Sequence, residues 1–192
     1  MAANKFGFGV RDLMLFPLKE ETDTATPTYD TMLDTTDTNS IKASRTTANA
    51  TADGDDKQVA NITMTTGMTI EWTGWGVPVE TEAKIYGHTL DSTKNQLDEA
   101  MDDLAPYIGV GYVRTMTDKS NAKTFKGYFY YKCQAVQGDE ESTSAGTSLN
   151  LASTTVTFNA VQPSYGPLRS IEEFDTEDAA VAWIKGLAGA TA

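Results

Sequence analysis

Hydrophobic and polar positions alternate through residues 61–73, NITMTTGMTIEWT. Ile62, Met64, Met68, Ile70 and Trp72 fall on one phase, and Asn61, Thr63, Thr65, Thr69, Glu71 and Thr73 on the other. A period of two predicts a β-strand with one apolar and one polar face. At about 3.4 Å per residue it would reach roughly 44 Å, well beyond an ordinary strand of about 5 or 6 residues. FGFGVRDLMLFPL, residues 6–18, predicts an earlier apolar strand closed off by Pro17. Farther along, YIGVGYVRTM, TFKGYFYYKCQAV and LNLASTTVTFNAV are separated by the polar turns TDKSNAK and QGDEESTSAGTS, which predicts an antiparallel meander. In the last segment the apolar phase passes from Leu149 and Leu151 to Val156, Phe158 and Ala160, so a bulge is expected near Thr154.

Three stretches read as helical. TEAKIY is short, with Thr81 placed to cap it and Gly87 to end it. DSTKNQLDEAMDDL sets Leu97, Met101 and Leu104 at i, i+4 and i+7. A C-terminal helix over 175–188 puts Ala180, Trp183, Ile184 and Leu187 on one face behind an acidic first turn, and should pack on the sheet. The segment 19–58 is different: eleven threonines between Thr22 and Thr51, scattered aspartates and little to bury predict a long loop or arm. Threonine favours strands, so PTYDTM at 27–32 can still pair. The expected fold is one mainly β domain, residues 1–192, an antiparallel sandwich or barrel-like structure with a flanking α-helix and long loops.

Composition narrows the function. The 192 residues suffice for one real core. Fifteen Lys and Arg against 27 Asp and Glu give a formal charge of -12, which repels free nucleic acid and anionic membranes. Cys133 is the only cysteine, so no intrachain disulfide can form, and it sits inside an apolar strand pattern. No apolar run is long enough for a signal peptide or a membrane span, and a cytosolic protein is expected.

Candidate chemistry is sparse. His88 and Cys133 lack a second imidazole or thiolate for a zinc or copper site. The pairs Gly7/Gly9 and Gly109/Gly111 lack the third glycine of a dinucleotide fingerprint and read as strand glycines. His88 beside a nucleophile, or Asp102 with Asp103, needs partners within hydrogen-bond reach; GHTLDS reads more simply as a turn. GDEES and ADGDD match no calcium-loop spacing and read as solvated acidic turns. Trp72, Trp75, Tyr128 and Tyr130 could stack on a sugar or belong to a core. No enzyme and no cofactor are expected.

In order, KFGFGVRDLMLFPLKEETDTATPTYDTM, the long alternating strand with IYGHTLD after it, and PYIGVGYVRTMTDKSNAKTFKGYFYYKCQAV resemble the major tail proteins of long-tailed siphophages, in particular the phi13-type family. The resemblance spans nearly the whole chain and lies in the order of segments; the Thr-rich segment 34–58 is unusual in it. It implies a tail tube fold whose subunits assemble into stacked hexameric rings, the channel for genome delivery. Implied partners are further copies of the chain and the tape measure, tail terminator and distal tail proteins. DNA would pass without specific binding, no membrane is involved, and the protein would reside in the virion after assembly in the host cytoplasm.

Joining sheets edge to edge would close a barrel. Asn61, Thr63, Thr65, Thr69, Glu71 and Thr73 would then line the channel, with Ile62, Met64, Met68, Ile70 and Trp72 packed between the sheets; the polar row would serve as well on an outer surface. A wall poor in cations lets DNA slide. The basic turn carrying Arg114, Lys119, Lys123 and Lys126 is expected to meet an acidic segment of a neighbouring subunit, either Glu20, Glu21 and Asp23 or Asp139, Glu140 and Glu141. Alternatives are a tail-terminator or distal-tail ring protein of the same fold, or a β-sandwich glycan-binding module.

Overall fold

The computed structural model describes residues 5–55, 57–138 and 153–189. The elements run β1 Phe6–Glu20, β2 Thr28–Tyr29, β3 Thr38–Gly54, β4 Lys57–Gly74, α1 Val79–Tyr86, β5 Thr89–Asp91, β6 Gln96–Asp98, β7 Tyr107–Thr117, β8 Lys123–Val136, β9 Thr154–Ala160, β10 Arg169–Phe174 and α2 Glu177–Leu187. The fold is mainly β and sandwich-like, and its strand pairs are antiparallel.

β8 organises the molecule. Along one flank it pairs with β7 from Tyr107↔Gln134 to Thr117↔Lys123. Its other flank is divided: Phe125 to Tyr130 pair with β10, and Cys133 to Val136 pair with β9. Neighbouring strands in the sheet follow the order β2-β1-β7-β8-β9-β4-β3, and the divided flank lets β9, β4 and β3 fold over the layer made by β1, β7 and β8. Between these layers lies one core, with Leu13, Leu15, Ile70, Trp72, Val110, Tyr130, Cys133 and Phe158 among its members and α1 contributing Ile85.

The opposite face of the β1-β7-β8 layer is covered by α2. Ala180 and Ile184 are fully buried there against Met14, Phe16, Val113 and Phe129, with Trp183 and Leu187 half-buried beside them. Thr176 caps the helix, its hydroxyl accepting from the Ala179 amide. Gly111 makes this close approach possible, since a Cβ there would sit 2.5 Å from Ile184 Cγ2. The expected C-terminal helix and its apolar face are thus present.

Several expectations need correction. The 19–58 segment is largely strand: Tyr29 pairs with Leu18, and β3 takes up residues 38–54. β1 continues through Pro17 to Glu20. Pro17 pairs with Ile108 while its carbonyl accepts from the Asp30 amide on the other side, so the missing N–H falls on the sparsely paired flank. Thr81 lies within α1 and donates to the Asp34 carbonyl at 2.6 Å rather than capping, whereas Gly87 ends α1 at φ 81° as expected. The helix expected over 91–104 is absent: Asp91 Oδ1 accepts from the amides of Thr93 and Lys94, Asn95 takes φ 52°, and β5 turns into β6. Met101 and Leu104 point into solvent. β10 forms at Arg169–Phe174, where no strand is expected. The bulge expected near Thr154 falls beside residues outside those described.

Candidate functional site

The longest strands, β3 and β4, form one hairpin whose two halves have different surroundings. At its root, Met68, Ile70 and Trp72 are buried, and β4 pairs with β9 from Met68↔Ala160 to Gly74↔Thr154. Beyond Met68, among the described residues, β3 is the one partner of β4 and residues 57–66 are exposed on both faces. Ten residues at about 3.4 Å each make this two-stranded arm roughly 34 Å long. The expected inward packing of Ile62 and Met64 is therefore incorrect: they are 59% and 65% exposed.

The alternation also conceals a bulge. Thr46 pairs with Gly67 but Thr47 pairs with Thr65, so Thr66 is an extra residue in β4. An extra residue reverses which parity faces which side. At the root, Thr69, Glu71 and Thr73 lie on the face away from the core; in the arm that same face continues through Met64, Ile62 and Ala60, opposite Ala48, Ala50 and Ala52. Asn61, Thr63 and Thr65 turn to the other side. The six residues expected to share one channel wall do not share a face.

Around Thr69, Glu71 and Thr73 the root nevertheless presents a broad polar surface. Thr69 donates to Asn159 Oδ1 at 3.3 Å, Thr73 and Thr155 hydroxyls lie 3.1 Å apart, and Lys42 donates to Glu71 at 2.8 Å. Ser44, opposite Thr69, and Thr157, opposite Glu71, complete it. The two outer surfaces of the sandwich thus differ: α2 covers one, and this one is polar and uncovered among the described residues.

Two strand flanks lack partners among the described residues. β3 pairs with β4 alone, and β1 has only β7 along Phe6–Arg11. Between them lies a groove of about 600 Å³, whose lining includes Val10, Ile41, Tyr112, Tyr128, Arg114 and Arg169. Unpaired flanks of this length offer backbone donors and acceptors to another chain.

The expected inter-subunit charges divide. Asp118 accepts from the amides of Ser120 and Ala122, holding the β7–β8 turn and leaving Lys119 and Lys123 exposed. Lys126 lies opposite both Arg114 and Glu173, and Glu173 pairs with Lys5. Glu20 and Asp23 are exposed. Glu21 is not available: it accepts from Lys132 Nζ at 2.5 Å and from the Ser164 amide at 2.7 Å. These bonds hold its pKa below the ordinary glutamate value, the lysine contributing most. Asp139, Glu140 and Glu141 lie outside the described residues.

Other candidates have structural roles. His88 Nδ1 is 2.8 Å from Asp103 Oδ2, and Asp103 also accepts from the Ala100 amide, so the pair ties the end of α1 to the segment after β6. Cys133 is fully buried, and burial pushes its thiol pKa up. Trp72 and Tyr130 are buried, Tyr128 is half-buried and Trp75 is exposed, so the four aromatics form no common platform. No protein-family model and no curated protein matches the chain.

Proposed function

We propose that this protein is the structural subunit of a bacteriophage tail tube, assembling into stacked hexameric rings that form the channel for genome delivery. The observation supporting this best is the combination of two strand flanks without partners among the described residues and an arm of roughly 34 Å whose residues 57–66 are exposed on both faces. A sheet left open on both sides can be continued by neighbouring copies, and six copies related by rotation close it into a ring. The segment order described above supplies the tail-tube assignment.

The bare polar surface of β3, β4 and β9 is the wall assigned to the channel. It holds threonines, Asn159 and the neutralised Lys42–Glu71 pair. Without a surplus of cations there, DNA phosphates find little to grip. The arm crosses to an adjacent subunit, where the apolar row of Ile62 and Met64 is covered.

Negative-stain microscopy and sedimentation velocity of the purified chain test the reading. Rings or tubes are expected as concentration rises. A chain that stays monomeric across all concentrations and salt conditions would overturn it.

A further inference from the structure

The groove between β1 and β3 has a chemical character at odds with the rest of the molecule. Arg114 and Arg169 both line it; among the described residues its lining has no carboxylate and neither arginine has an ion-pair partner. Both are positioned. The Arg114 guanidinium lies across Gly7, where a Cβ would come within 2.5 Å of its Nε. Arg169 sits over the Tyr130 ring and donates to the Tyr130 hydroxyl at 3.2 Å. In a chain of charge -12, this is a held pair of cations with no anion beside it among the described residues.

The complementary charge is at the tip of the arm, where Asp53 and Asp55 stand on either side of Gly54. Asp53 and Asp55 are exposed, and Gly54 pairs with Lys57 to make a tight turn with Asp55 at φ 50°. The tip cannot reach the groove of its own subunit. β3 leaves the groove at Ala43 and runs paired with β4 to Gly54, about 35 Å away along the strand.

We infer that the groove is the receptor for the arm tip of a second copy, with Asp53 and Asp55 of one subunit facing Arg114 and Arg169 of the next. This rests on the self-assembly proposed above and specifies which surfaces meet. Desolvated arginine–carboxylate contacts fix the register of such a joint and make it sensitive to salt.

Two full-length variants test it: one with Asp53→Lys and Asp55→Lys, the other with Arg114→Glu and Arg169→Glu. Like charges then face each other in each homogeneous assembly, and association at low salt should weaken by at least about tenfold by sedimentation velocity. Mixing the two variants should restore association, because each tip then meets an opposite groove. In a second measurement, chains bearing Asp55→Cys and Arg114→Cys are mixed and treated with a short bismaleimide; buried Cys133 does not compete, and a crosslinked dimer is expected. If the unmodified protein assembles but mixing restores nothing and no crosslink forms, the groove assignment is overturned while self-assembly stands. A monomeric unmodified protein removes both.

Discussion

Glu21 illustrates how a residue's role depends on what lies across from it. In sequence it belongs to an acidic run, KEETD, suited to meeting a neighbour. In the fold it anchors the segment after β1 to Lys132 of β8 and to Ser164. Its pKa is lowered in the folded state, so the folded chain binds this proton less tightly than the unfolded chain does. The stabilisation is present above the unfolded glutamate value and is lost as pH falls through the lowered one. Glu21→Gln should therefore cost about 1 kcal/mol near neutrality. In thermal melts the gap between variant and parent should close as pH drops below about 4; a constant gap would mean that the carboxylate charge is not what stabilises.

At the scale of elements, the β3–β4 hairpin is the feature whose identity was legible in part and whose geometry was not. The alternation of residues 61–73 does mark a strand, and Met68, Ile70 and Trp72 are core residues. Parity along a sequence cannot register a bulge, because an inserted residue leaves the spelling of the alternation intact while reversing its direction in space. Thr66 and Gly67, the only pair that breaks the polar–apolar rhythm, were the available signal. The Thr-rich segment 19–58 reads as a loop or arm because it has little to bury; β3 nevertheless pairs with β4 along its length, with Ile41 against the core. The 91–104 stretch failed in the opposite way: its leucine and methionine spacing suits a helix, but local bonds from Asp91 and the left-handed Asn95 favour a turn. Replacing Ile62 and Met64 together by serine should leave the unfolding free energy of the isolated subunit within about 0.5 kcal/mol of the parent in denaturant titrations. The same variant should associate more weakly in sedimentation experiments. A large loss of subunit stability would show that the pair is already buried by its own chain.

For the molecule as a whole, the sequence conveyed the meander of β7, β8 and β9 and the amphipathic C-terminal helix, because each is a local pattern. The division of β8 between β9 and β10 depends on contacts between distant segments, and RSIEEF is too short and charged to announce β10. The resulting two outer surfaces make a prediction about assembled protein. A cysteine at Thr155, on the bare polar face, should be shielded from a bulky maleimide in intact tubes and reactive in free subunits. A cysteine at Glu172, exposed on β10, should remain reactive in both. Equal labelling of the two positions in tubes would remove the polar face from the channel wall.

The connectivity of the arm also bears on how the chain folds. Its strands are joined by a tight turn, a local hairpin of the kind that closes in about 1–10 μs, whereas Phe6 must find Thr117 and Pro17 must find Ile108 before the layers can meet. During synthesis the arm can thus zip up before β7 and β8, which lie later in the chain, have been made. If copies associate through the arm as proposed, a hairpin formed this early exposes Ile62 and Met64 before the rest of the chain has folded, and premature association is the hazard it must avoid.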